Sequence, residues 1–194
     1  MRFSRHILFA VVAALTFAVS HSAVADTSGA EPGTTGAWGA SASRLVRNIW
    51  DNGATEVYLP VHTYHMRWTY SAEKVRTLNE NPWGFGVGKT LVDVRGNEHR
   101  LYAIAFKDSH FQVEPIAGYA RLWQVASKGP FRLKAGFTAF VTSRGDTMHY
   151  APFPAALPLV SMDVGRLSLM STYIPGGRHS GNVLFAFASY RLGH

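Results

Sequence analysis

His65, Asp108 and Ser109 are the side chains in this sequence whose types combine into a reaction. A histidine takes and returns a proton near neutral pH, its ordinary pKa lying at about 6.5. A carboxylate can orient that imidazole and stabilise its charged form. A serine hydroxyl beside it can act as a nucleophile or as a donor to an oxyanion. Together the three suit acyl transfer. Adjacent residues on a regular strand point to opposite faces, so Asp108 and Ser109 can serve one site only at a strand end or in a loop. Alone the three are a weak signal, since any chain of 194 residues offers some Ser, His and Asp.

Other constellations carry less. His62 and His65 are three apart, so on a strand they face opposite sides. The sequence has no H-E-x-x-H pattern and no cysteine, so neither a metal site nor a cofactor is expected. Asn79-Glu80-Asn81-Pro82-Trp83-Gly84 is a turn-rich loop with an aromatic suited to an interface, and composition assigns it no role.

The elements that must position the three residues are strands. After Gly53 the pattern has period two. It predicts strands over Glu56–Tyr70, Phe85–Val94, Arg100–Lys107, Glu114–Val125, Phe131–Ser143, Met148–Val164, Arg166–Ile174 and Asn182–Leu192. Turn signals such as Arg95-Gly96-Asn97 and Ser127-Lys128-Gly129-Pro130 separate most of them. On this reading His65 lies toward the end of the first strand, and Asp108-Ser109 close the third. Eight short strands match the smallest transmembrane barrels, and a closed set removes the edges that lipid forbids.

In several strands one face is bulky and the other small. Val183, Phe185, Phe187 and Ser189 oppose Leu184, Ala186, Ala188 and Tyr190, and Tyr102, Ile104 and Phe106 oppose Leu101, Ala103 and Ala105. Small residues placed inside and bulky ones outside would leave an unfilled apolar cavity suited to a lipid tail. Proline cannot donate to a sheet ladder. Pro60 in the first strand, Pro152, Pro154 and Pro158 in the sixth and Pro175 after the seventh therefore mark strand ends, bulges or gaps in the wall.

Residues 1–25 read as a secretory signal peptide: Arg2 and Arg5, an apolar run Ile7–Val19, then Ala23-Val24-Ala25. Its removal leaves 169 residues and lowers the formal charge from +7 to +5. Residues 26–40 are rich in Gly, Ser, Thr and Pro and read as a flexible lead-in. Ser41–Asn52 is an amphipathic helix with Leu45, Val46, Ile49 and Trp50 on one side, suited either to a membrane interface or to packing on a core.

Composition agrees with a lipid-facing barrel. Hydrophobic residues make up 47% and charged residues 16%, the reverse of a disordered chain. The cations are scattered singly, so no nucleic-acid partner is expected.

Several blocks resemble the lipid A palmitoyltransferase (PagP) family: Tyr64-His65-Met66-Arg67-Trp68, Asn79–Gly84, Leu101–Ser109, Glu114-Pro115-Ile116-Ala117-Gly118-Tyr119, Gly136–Ala139, Leu157-Pro158-Leu159 and Thr172–Gly176. The likeness runs from about Leu45 to Tyr190. It implies an eight-stranded antiparallel outer-membrane barrel of Gram-negative bacteria with an N-terminal amphipathic helix. It implies an enzyme that moves a palmitoyl chain from the sn-1 position of a phospholipid to a hydroxyl of lipid A. The family's catalytic His, Asp and Ser map to His65, Asp108 and Ser109. Its gaps for lateral lipid access map to Pro60 and Pro82 on one side and Pro158 and Pro175 on the other. Its acyl-length gauge, often glycine, maps to Ala120, which implies a chain at or slightly below palmitate length. A monomer suffices for a closed barrel.

Two rival readings are a soluble lipid carrier, which would need a polar exterior, and a non-catalytic lipid-binding or structural outer-membrane barrel.

Overall fold

In the computed structural model, residues 34–145, 148–176 and 181–193 are described. The signal peptide expected over residues 1–25 lies outside them, as does the expected lead-in up to residue 33. The elements are helix α1 (Thr34–Asn52), β1 (Ala54–His65), a single-turn helix α2 (Ala72–Val75), β2 (Gly84–Val92), β3 (Glu98–Lys107), β4 (Val113–Lys128), β5 (Phe131–Thr142), a 3-10 turn (Met148–Tyr150), β6 (Phe153–Val164), β7 (Leu167–Ile174) and β8 (Val183–Leu192). The strands pair antiparallel in chain order, and β8 closes onto β1.

Three boundaries differ from expectation by more than three residues. Helix α1 begins at Thr34, so residues 34–40 are helical rather than a loose lead-in. Strand β1 stops at His65, where Thr69 and Tyr70 fold back to donate to the Met66 carbonyl. Strand β6 starts at Phe153, because His149 and Tyr150 take left-handed backbone conformations that no strand continues through (φ 51° and 65°). Val46 and Ile49 of α1 are buried against Leu101, with Leu91 and Tyr119 around them. The helix thus packs on the outer wall of the barrel.

The expected sorting of faces, bulky outside and small inside, holds on some strands and is reversed on others. On β8, Val183, Phe185 and Phe187 are buried, while Leu184 and Tyr190 are exposed. On β3, Tyr102 and Ile104 point inward. Strand β2 supplies the space they need, with glycines at three successive inward positions. A Cβ on Gly86 would come within 2.5 Å of Ile104, and one on Gly88 within 2.9 Å of the Tyr58 ring. Strand β5 shows Phe137 outward and Thr138 inward. Bulk cannot tell the faces apart, because lipid tails are as apolar as a core. The exterior carries exposed Leu59, Phe85, Trp123, Val160, Met162 and Leu169.

The interior is layered. One end holds buried charges. Arg100 donates to Glu98 at 2.9 and 2.6 Å, to Glu56 at 3.0 Å and to Ser189 and Ser168. Lys134 bridges Glu98 and Asp163, and Arg191 reaches Glu56 and Glu98. Three carboxylates meet three cations, so the layer is balanced and closes that end. Above it lies an apolar layer that includes Tyr58, Leu122, Leu159 and Met170. Beyond that the barrel opens into a cavity.

Candidate active site

The cavity occupies about 400 Å³ and is lined by Ile104, Phe106, Phe140, Leu157, Phe185 and Phe187, among others. That is the size and character of a small-molecule site. Tyr102 Oη and Thr138 Oγ1, 2.5 Å apart, bridge its floor. Ala120 is 1% exposed, pairs with Thr138 across the β4–β5 ladder and lies in the same buried cluster as Tyr102 and Tyr58.

His65, Asp108 and Ser109 stand together at the mouth of this cavity. A β-bulge brings His65 there. The β1–β8 register steps from Pro60↔Phe187 to His62↔Ala186, which leaves Val61 as an extra residue. Glu56 and Tyr58 point inward before the bulge, Thr63 and His65 after it. Were Val61 paired in regular register, with no bulge, the period-two rule would turn His65 outward. Proline at position 60 favours this break, because it cannot donate to the ladder.

The imidazole is 1% exposed. Its Nε2 lies 3.0 Å from Ser109 Oγ, and its Nδ1 lies 3.2 Å from Glu80 Oε1. The Tyr70 ring packs edge-on against it, 5.1 Å between centroids. Both ring nitrogens are therefore taken, and Asp108 does not hold the imidazole. The Asp108 carboxylate instead accepts from the backbone N–H groups of His110 and Gln112, at 2.8 and 2.9 Å. It thereby folds the turn after Ser109, in which Phe111 takes a left-handed conformation (φ 62°). Arg144 approaches Asp108 at 3.9 Å.

Sequence reasoning missed what the Asn79–Gly84 loop does. Asn79 donates from its backbone to the Ser109 carbonyl at 2.9 Å and from its side chain to the Asp108 carbonyl at 3.1 Å. Glu80 accepts from the His65 backbone N–H at 3.1 Å, and its own carbonyl accepts from Thr63. Arg67 grips the Glu80 carboxylate at 2.8 and 2.7 Å. The hydrogen bonds that the Glu80 carboxylate accepts, foremost those from Arg67, hold it down to about 2, so it is ionised at any physiological pH. The available signal was a loop with an acid between two polar residues and a proline, 15 residues from His65.

The four prolines sit where ladders end. Pairing of β1 with β2 runs from Ala54↔Thr90 to Tyr58↔Gly86 and stops, with Pro60 and Pro82 flanking the opening. Pairing of β6 with β7 stops at Leu159↔Thr172, beside Pro158 and below Pro175. No described helix is long and apolar enough to cross a membrane, whereas the strands form a closed, apolar-skinned barrel.

A barrel of this kind, with a histidine–serine pair over an apolar well, is a membrane β-barrel equipped for acyl transfer. Residues 45–189 match the family described as "Antimicrobial peptide resistance and lipid A acylation protein PagP". The chain belongs to the PagP family. It is 49% identical to the lipid A acyltransferase PagP of Laribacter hongkongensis over 149 residues, 76% of this chain and 71% of that one. It is 44% identical to the protein of that name in Bordetella pertussis, covering 80% of this chain and 85% of the relative. With the Yersinia enterocolitica protein it shares 43% identity, over 77% and 75% of the two chains.

Proposed function

We propose that this protein is a lipid A acyltransferase of the Gram-negative outer membrane that takes a palmitoyl or similar chain from the sn-1 position of a phospholipid. One observation carries the reading: His65 Nε2 faces a hydroxyl oxygen at 3.0 Å at the mouth of an apolar cavity. The donor's acyl chain lies in the cavity and its ester reaches His65. A lipid A hydroxyl attacks the ester carbonyl and gives its proton to His65 Nε2. The tetrahedral oxyanion accepts from Ser109 Oγ–H. On collapse the bond from carbonyl carbon to glycerol oxygen breaks, and His65 returns its proton to that oxygen. The products are acylated lipid A and a lysophospholipid. Ser109 takes the donor's part because the neighbouring amides of His110 and Gln112 are already engaged by Asp108.

Asp108 holds the Ser109 turn in place. The ladder gaps at Pro60/Pro82 and Pro158/Pro175 give the two lipids entry from the side of the barrel. Ala120 supports the floor from beneath and so limits chain length. One chain forms the whole barrel, so the protein works as a monomer.

The test uses the purified protein in vesicles of phosphatidylethanolamine labelled in the sn-1 chain, with lipid A as acceptor. Label is expected on lipid A, and the Ser109→Ala protein should retain transfer at roughly one part in 10²–10³, the cost of one oxyanion donor. Transfer of an sn-2 label instead, or an acyl group trapped on Ser109, would contradict the scheme.

A further inference from the structure

We infer that Glu80, not Asp108, is the positioning residue for His65, and that Arg67–Glu80–His65–Ser109 form one hydrogen-bonded line running into the cavity. The inference deepens the proposed acyl transfer and rests on it. Four distances define the line: 2.8 and 2.7 Å from Arg67 to Glu80, 3.2 Å from Glu80 to His65 Nδ1, and 3.0 Å from His65 Nε2 to Ser109.

The chemistry follows from the donor inventory. An ionised carboxylate only accepts hydrogen bonds. The proton of the neutral imidazole must therefore sit on Nδ1, facing Glu80. That leaves Nε2 with a free lone pair, aimed at the Ser109 hydroxyl and at whichever hydroxyl replaces it. When Nε2 takes a proton during transfer, the new positive charge lies directly beside the Glu80 carboxylate. The second hydrogen bond, from the His65 backbone N–H to the same Oε1, ties carboxylate and ring to one frame. Arg67 fixes the carboxylate through both oxygens and prevents it from rotating away. Other titratable groups near the ring are Tyr70 against its face, and Asp108, His110 and Arg144 across the mouth. None of them reaches a ring nitrogen, since both nitrogens are occupied.

Glu80→Gln keeps the shape and can still accept from Nδ1, but it removes the charge. In labelled transfer by the purified protein we expect kcat/KM to fall by roughly 10²–10⁴-fold, the range seen when a triad's acid is neutralised. The acid limb of the pH–rate profile should move to lower pH, since the protonated imidazole has lost its neighbouring charge. Glu80→Asp should recover part of the rate and restore the limb. A merely structural role would lower the amount of folded barrel and leave the limb in place.

His65→Ala is run beside these variants. If His65→Ala is inactive while Glu80→Gln keeps its rate and its profile, the assignment of Glu80 is overturned and the wider reading stands. If His65→Ala transfers normally, the reading of the site fails and the inference falls with it. Should Glu80→Gln not fold, the wild-type imidazole ¹⁵N spectrum decides. A protonated Nδ1 with a bare Nε2 supports the line, and the opposite tautomer overturns it.

Discussion

At the scale of single residues, Ala120 bears on the chain-length limit proposed above. It does not line the open space. It pairs with Thr138, whose hydroxyl meets Tyr102 Oη at the cavity floor. Interiors are packed densely enough that one carbon is felt. Ala120→Gly should let the floor settle and lengthen the preferred acyl chain by roughly one methylene, because glycine lacks only that carbon. Mass spectrometry of the modified lipid A measures this. An unchanged chain distribution would place the stop at Tyr102 and Thr138 alone.

His65, Asp108 and Ser109 were legible as a set from their types and their positions at strand ends. Their contacts were not. The partner of His65 comes from a loop 15 residues away, and no periodicity specifies where a loop folds. Asp108 was expected on the imidazole because carboxylates commonly orient histidines. A carboxylate next to a tight turn has nearer donors in the backbone of that turn, and here they win.

At the scale of elements, the eight strands followed from alternation and from turn residues such as Gly96 and Gly129, whose left-handed backbones close the short hairpins (φ 79° and 58°). The start of α1 did not follow, since Gly36 and Gly39 lower the local helix propensity. Faces were misread on β3 and β8 because both sides of the wall carry apolar side chains, so alternation does not say which side is inner. The bulge at Pro60–His62 has the clearest functional consequence. Deletion of Val61 should remove the bulge and restore regular alternation with Thr63 and His65 still facing inward, because Val61 is the one residue that breaks the alternation. Transfer should then stay near the wild-type level, with His65→Ala as the inactive reference. A deletion variant as inactive as His65→Ala, with circular dichroism still reporting a folded barrel, would show that the bulge sets more than the face on which His65 lies.

At the scale of the whole molecule, the barrel divides its interior between an apolar cavity and a charged closure. Glu56, Glu98, Arg100, Lys134 and Asp163 come from four different strands, and only barrel closure brings them together across the lumen. Breaking a buried ion pair strands a charge in a dry environment. Arg100→Met should destabilise the barrel by about 3–5 kcal/mol, read from urea unfolding in detergent micelles. A loss below about 1 kcal/mol would match an exposed pair instead, and would mean that water reaches this end. The closure gives the cavity a blind end, so an acyl chain entering from the mouth stops at a defined depth.

The central claim is that His65, aimed over that blind cavity, transfers an acyl chain to lipid A. Lipid A from Gram-negative cells lacking any other such enzyme, supplied with either the wild-type chain or His65→Ala, tests it by mass spectrometry. The wild-type chain should add one acyl group of about palmitate mass, and His65→Ala at equal barrel abundance should add none. Equal acylation by both, or by neither, would contradict it.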